Sequence, residues 1–158
     1  MNLSPQGLEA LKRLETFSPK PIPDAHGKLQ VGYGHNITGT TMFDVTPEEA
    51  EELLIFDVAD REDVINAHLT SIAIIEMTQQ QFDAILIFLY NIGANAFIHS
   101  TALSLINRCD WNAVPDAMRL FNKITVEKKG IWVKVESHVL KNRREAEIRI
   151  FLKGNYDV

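Results

Sequence analysis

The sequence has one cysteine, no long apolar run and no block of basic residues, and each shortage removes a class of protein. A lone Cys109 excludes an internal disulfide and a thiolate metal centre, and a buried, inert thiol is the role expected of it. No stretch approaches the ~18 consecutive apolar residues of a membrane helix, so no membrane span is expected. Met1-Asn2-Leu3-Ser4-Pro5 carries no basic-plus-apolar leader. Synthesis as a soluble cytoplasmic product is therefore the expectation, with any export owed to another agent. A net charge of −5 without a cationic patch argues against nucleic acid as the partner, and it gives no help in holding an anionic polymer. His26, His35, His68, His99 and His138 show no metal-ligand spacing. A nucleotide-binding loop, an H-E-x-x-H helix and internal repeats are missing too. Neither a metal nor a cofactor is expected. No G-x-S-x-G turn is present, and a Ser-His-Asp site built from distant residues stays open without that support.

What is present is a chain of 158 residues, 46% apolar, enough for one domain with a sizeable core. Its organising stretch is 15–35. Two carboxylates, Glu15 and Asp24, stand nine positions apart with Pro19, Pro21 and Pro23 between them. Each proline fixes its own φ and pushes the preceding residue towards extended geometry, so a helix carrying Glu15 must stop by about Ser18. Ala25-His26-Gly27 is a turn signal, and the run from Lys28 to Tyr33 alternates polar or small with apolar residues as a strand does. Glu15 then sits at a helix end and Asp24 where a hairpin begins, and the two can face one cleft. Glycosidic bond cleavage needs such a pair: one acid for the leaving oxygen, one base or nucleophile for the other face of the sugar.

Ser4 and Pro5 start the first helix, in which Leu8, Leu11 and Glu15 share a face. This puts Glu15 in the last turn, where the helix dipole and an apolar setting both favour the protonated acid. A solvated glutamate is the plainer alternative. Thr46-Pro47-Glu48-Glu49 is a capping box that opens a helix of some twenty residues, long enough to bridge two lobes. Its acidic residues Glu48, Glu49, Glu51, Glu52, Asp57 and Asp60 read as a solvated face. A second capping box, Thr78 to Gln81, opens a helix apolar all round from Phe82 to Tyr90, which should be the centre of the core. Asn91-Ile92-Gly93 ends it, with Gly93 a left-handed cap and Asn91 either facing a cleft or bonded locally. Ser100 and Asp110 read as caps of two short helices, the second with Ala113, Ala117, Leu120 and Phe121 inward. Residues 124–135 read as a small hairpin or flap around Lys128-Lys129-Gly130, with Trp132 either exposed there or, as the expected role, packed. Ser137 caps a final helix that carries Asn142-Arg143-Arg144 and ends at Gly154.

Three motifs resemble one family, the phage-type lysozymes or endolysins of glycoside hydrolase family 24. Glu15, Asp24 and Gln30-Val31-Gly32-Tyr33-Gly34-His35 resemble its glutamate, aspartate and T-I-G-Y-G-H. Tyr90-Asn91-Ile92-Gly93 with Ala96-Phe97 and Ser100-Thr101 is similar to its F-N-I-G…A-F…S-T. Leu140 to Glu147, with Phe151, is similar to its G-L-x-N-R-R-x-A-E…F. The resemblance covers nearly the whole chain. It implies an α+β, mainly helical, two-lobed fold over 1–158: a small hairpin lobe at about 16–60, a bridging helix, and a helical lobe at about 70–158 that includes the N-terminal helix. It implies hydrolysis of the β-1,4 bond between N-acetylmuramic acid and N-acetylglucosamine in peptidoglycan, by a monomer. Its glycan strands would be met after release to the periplasmic wall, or by way of a phage particle. Glu15 would be the general acid, with Asp24 orienting or activating water. His35 and Asn91 would line the site, and Arg143 (Arg144 being the alternative) would pair with Glu15.

The sequence departs from that pattern in three places. Gln30 stands at the family's catalytic threonine, Val139 stands where its glycine precedes the Leu-x-Asn-Arg-Arg run, and 124–135 does not follow its usual loop. Gln30 shares a strand face with Lys28, opposite Leu29 and Val31, and is expected to be exposed or to face the cleft. Gln30 and the acidic charge also motivate a rival reading, a peptidoglycan-binding module with weakened turnover. A lytic transglycosylase, which closes a 1,6-anhydro ring without water, is the other rival; the retained Asp24 speaks against it.

Overall fold

Three prolines in five residues decide where the first strand can lie. Proline has no N–H for a ladder, so it belongs on a sheet edge. In the computed structural model, which describes residues 1–24, 27–128 and 130–158, β1 (Ser18–Pro23) is the edge of a three-stranded sheet of order β1-β2-β3. It runs antiparallel to β2 (Leu29–Gly32), with Ile22 opposite Gln30 and Pro23 opposite Leu29. β3 (His35–Asn36) pairs on the other side, setting Gln30 against Asn36 and Val31 against His35. Of the two expected turns, Ala25 and His26 in one and Lys129 in the other lie outside the described residues.

The sheet covers a small core of Val31, Ile37, Val45 and Ala50. Gly32 is needed for its contact with the next helix: its φ is +65°, and a Cβ there would lie 3.0 Å from the Cβ of Ala50. That helix, α2 (Pro47–His68), opens on the capping box, Glu49 N donating to Thr46 Oγ1 and Thr46 N donating to the Glu49 carboxylate. Ala50 belongs to the small core, whereas Leu54, Val58 and Ile65 belong to a second, larger one. One helix therefore bridges two cores, as its length suggested.

The larger core is built around α4 (Gln79–Ile92), buried at every residue from Phe82 to Leu89. Around it stand α1 (Pro5–Leu14), α3 (Ser71–Glu76), α5 (Ala94–Ile98), α6 (Thr101–Asn107), α7 (Val114–Arg119) and α8 (His138–Lys153), α8 packing along α4 most extensively. Between α7 and α8 a separate hairpin of β4 (Lys123–Lys128) and β5 (Ile131–Glu136) leaves the body of the protein. The fold is α+β and mainly helical.

One buried polar residue ties the chain ends together. Asp83 on α4 is fully buried and accepts hydrogen bonds from Ser4 N (3.0 Å), Ser4 Oγ (2.5 Å), Gln79 Nε2 (2.8 Å) and Tyr156 Oη (2.7 Å). Ser4 also accepts from Gly7 N as the cap of α1. A carboxyl buried in that position is tolerable because these four donors satisfy its oxygens.

Several sequence-based expectations are corrected. α1 ends at Leu14, and Glu15 is its C-cap with extended φ and ψ, its N–H donating to Leu11 O. Asp110 does not cap α7; the N-cap is Ala113, without a side-chain bond, and Leu120 is exposed. Gly93 has a positive φ of 83° but an extended ψ of 155°. Cys109 is half-buried at a φ of 56°, and burial, then a hydrogen bond with Glu76, pushes its thiol up. Trp132 is 68% exposed and packs in no core. The acidic face of α2 is only partly solvated: Glu49 closes the capping box, Glu51 binds Lys12 Nζ at 2.7 Å, and Asp57 is engaged by His35.

Asp83→Ala leaves the donors of Ser4, Gln79 and Tyr156 without their acceptor and should cost about 3 kcal/mol of stability, since each orphaned buried donor costs roughly 1–3. Urea denaturation measures it, and a loss below about 1 kcal/mol would contradict the role given to this carboxylate.

Candidate active site

Glu15 lies where α1 hands over to β1. Because it is the C-cap, its side chain leaves the helix axis and reaches a cavity of about 220 Å³, whose lining includes Glu15, Ser18, Ile22, Gln30, Gly32 and Gly34. Gln30 enters this cavity from β2, as its strand face suggested. Its Oε1 lies 3.3 Å from where a Cβ on Gly34 would stand, so a side chain at that glycine, already at a φ of +93°, would crowd the amide. A carboxyl and a primary amide thus share one small polar recess.

Glu15 is held from behind. Arg143 Nη2 on α8 donates to Glu15 Oε1 at 2.5 Å, and its Nη1 donates to Leu14 O at 3.3 Å. Arg143 Nε donates to Glu147 Oε1 at 3.0 Å. Glu147, fully buried, also accepts from Arg144 Nη2 at 2.8 Å, and the same Nη2 donates to Asn91 Oδ1 at 2.6 Å. Arg144 is itself buried, with its guanidinium 5.0 Å from the ring centroid of Phe88. The i, i+4 spacing of Arg143 to Glu147 and the i, i+3 spacing of Arg144 to Glu147 put all three on the inward side of α8.

The electrostatics follow from burial. Desolvation pushes the Glu147 carboxyl up to about 7, against the pull of Arg144 and Arg143. Desolvation, helped by the neighbouring Arg143 charge, lowers Arg144 against the pull of Glu147 and, more weakly, Glu15. Burial works against the Arg143 charge as well, but the carboxylates of Glu15 and Glu147 outweigh it and hold that guanidinium above its ordinary range. Arg143 therefore remains a fixed positive charge against Glu15.

A second cluster steadies the other wall. His35 Nδ1 lies 3.0 Å from both carboxylate oxygens of Asp57 on α2. Tyr90 Oη donates to Tyr33 O at 3.0 Å and lies 3.4 Å from Asp57 Oδ2. Burial first, then the charges of Asp57 and Glu15, push this phenol far above its ordinary range, so it stays a donor. The Arg61 guanidinium sits 5.8 Å from the Tyr90 ring centroid. His35 is thus a clamp between β3 and α2, and it does not line the cavity that holds Glu15.

The other residues singled out in the sequence are placed apart. Asp24 stands at the turn end of the β1–β2 ribbon, outside the lining of that cavity. Its N–H donates to Lys28 O at 2.8 Å, and its Oδ1 accepts from Lys28 N at 2.9 Å, so the carboxylate also closes the turn. Asn91 borders a separate groove and connects to Glu15 only through Arg144, Glu147 and Arg143. The sequence offered Arg144 as the alternative partner of Glu15, whereas its place is against Glu147 and Asn91. Asp57, Tyr90 and Glu147 were given no role in the site; the i, i+4 spacing of Arg143 to Glu147 was a signal that could have found the last, whereas nothing local marks Asp57 as the partner of His35.

Arg143→Ala removes the guanidinium that fixes the Glu15 carboxyl and the Leu14 carbonyl, and the rate on purified cell wall should fall at least tenfold, with Arg143→Lys restoring little because it lacks the planar fork. Initial rates set beside thermal melts measure it; a rate unchanged in Arg143→Ala with only the melting temperature lowered would make Arg143 a scaffold only.

A family model described as phage lysozyme matches residues 12–147. The endolysin of Acyrthosiphon pisum secondary endosymbiont phage 1 is 30% identical, the match covering 96% of this chain and 98% of that one. The solved endolysin from Escherichia coli O157:H7 phage FAHEc1 superposes with a TM-score of 0.85 at 34% identity, over 100% of this chain and 98% of that one. The muramidase domain of SpmX from Asticaccaulis excentricus superposes with a TM-score of 0.82 at 29% identity, over 96% and 98%. The chain belongs to the phage lysozyme family and is a lysozyme-type glycosidase acting on peptidoglycan.

Proposed function

We propose that the protein is a muramidase that cleaves the β-1,4 bond between N-acetylmuramic acid and N-acetylglucosamine with inversion, for lysis of a bacterial host. The observation that carries this reading is Glu15: a carboxyl fixed by Arg143, opening into a recess it shares with the Gln30 amide. The names of the endolysin and muramidase relatives support the substrate and the setting.

In this reading Glu15 protonates the glycosidic oxygen as the bond to the anomeric carbon breaks. Water attacks that carbon from the opposite face, and its proton passes to the Asp24 carboxylate. Inverting enzymes separate their carboxyl groups by roughly 6.5–9.5 Å to leave room for the water, and in this reading Asp24 is the base of that scheme. Gln30 takes the place of a hydroxyl in holding the water. Its amide offers a donor and an acceptor, but on a longer stem with more rotamers to freeze. In this reading the protein works as a monomer; among the described residues no helix is long and apolar enough to cross a membrane.

Clearing of purified cell wall tests the assignment. Glu15→Gln keeps the shape and removes the acid, and should cost about 10²–10⁴-fold in rate or more; Asp24→Asn should lose most activity. Gln30→Thr should raise the rate, because a hydroxyl holds water more tightly than a long amide. Near-normal clearing by Glu15→Gln would remove it as the acid. Clearing by Gln30→Thr but not by the native chain would favour the binding-module reading, and 1,6-anhydro fragments in the mass spectrum would favour the transglycosylase.

A further inference from the structure

The β4–β5 hairpin presents two unlike faces, because directly opposed residues of an antiparallel pair share a side. Lys123, Thr125, Glu127, Trp132, Lys134 and Glu136 fall on one face, from the pairs Lys123–Glu136, Thr125–Lys134 and Glu127–Trp132. This face borders a groove of about 780 Å³ between the hairpin and the end of α4, with Trp132, Thr125 and Lys123 on one side and Asn91, Ile92 and Leu140 on the other. The volume is that of a small-molecule site. Trp132 is 68% exposed, a large apolar surface left in solvent with no core to join.

Resting on the peptidoglycan reading above, we propose that this groove binds the N-acetylated sugars of the glycan strand beyond the cleavage point, with Trp132 as the platform on which a pyranose ring stacks. The groove sets the apolar sides of Trp132, Ile124, Phe121 and Leu140 beside the amide of Asn91, the hydroxyl of Thr125 and the ammonium of Lys123, and a sugar, apolar on its C–H face and polar around its rim, matches both. The C–H face of a pyranose lies against an aromatic plane while its hydroxyl and acetamido groups take hydrogen bonds from the rim. Asn91 gives its Oδ1 to Arg144 and keeps its NH₂ as a donor at the rim, and Thr125 adds a hydroxyl. From the Lys123–Glu136 pair to the Glu127–Trp132 pair is four residues, about 13 Å along the strand, room for more than one ring. Asn91, at the edge of the groove, is also tied to the acid by hydrogen bonds: Arg144 donates to Asn91 and to Glu147, and Arg143 donates to Glu147 and to Glu15.

The test uses the full chain and two substrates. Oligomers of β-1,4-linked N-acetylglucosamine, which carry no peptide, are titrated into the Glu15→Gln protein while tryptophan emission is followed. Emission should shift with the native tryptophan and stay unmoved in Trp132→Ala, since the only other tryptophan, Trp111, lies against the large core. On purified sacculi, Trp132→Ala should raise KM about tenfold, about 1.4 kcal/mol, with kcat held, and Trp132→Phe should keep most of the affinity. Equal thermal melts show that the variants fold. An unchanged KM and an unmoved emission in the Trp132-containing protein would overturn the proposal, as would binding of peptide-bearing fragments alone. Should the native chain clear no wall, the muramidase reading fails, and the emission arm still decides whether the groove binds sugar.

Discussion

The arrangement depends on one buried charge pairing, Arg143 against Glu15 and Glu147. Arg143 is where the helical body meets the small lobe: its guanidinium caps the carbonyl of Leu14, grips Glu15 and is itself fixed by a carboxylate without solvent exposure. A guanidinium keeps its charge under burial where an amine would lose it, and its planar fork serves three acceptors in fixed directions. Replacing Arg143 with lysine would retain a charge but not that fork. The alternation of Glu15, Arg143, Glu147 and Arg144 leaves little net charge in the interior while keeping a carboxyl in the cleft.

Around that network the fold supplies rigidity at two scales. α2 enters both cores, so the sheet that carries Gln30 cannot drift far from the helices that carry Arg143 and Tyr90. The His35–Asp57 contact and the Tyr90 bond to Tyr33 O repeat this connection locally. At the opposite end Asp83 gathers Ser4 and Tyr156, holding α1 to the core and with it the point at which Glu15 emerges. Glu15 is therefore fixed at both ends of its helix, by the cap at Ser4 and by the guanidinium behind Leu14.

Much of the fold was legible because local chemistry and global structure agree. The two capping boxes, the apolar run from Phe82 to Leu89 and the prolines of β1 each specify an element without reference to distant residues. The pairing of Arg143 with Glu15 was legible only through the family resemblance, since 128 positions separate the two. Asp57 read as one more acidic residue on a solvated helix, because nothing beside it reveals that His35 arrives from β3. Glu15 itself was placed one residue too far into its helix. The difference matters, for as C-cap it points away from the helix axis, into the recess. Trp132 was read as packing because aromatic residues usually pack, and only the projecting hairpin shows it in solvent.

In this account acid and water act on opposite faces of one sugar, the acid fixed by Arg143 and the water held by the ribbon that carries Gln30 and Asp24. The most direct measurement is proton NMR of the first reducing ends released from purified peptidoglycan, recorded before mutarotation scrambles them. The account predicts the α-anomer of N-acetylmuramic acid at the new end. The β-anomer, which requires a covalent intermediate, or a 1,6-anhydro end, which requires no water, would contradict it.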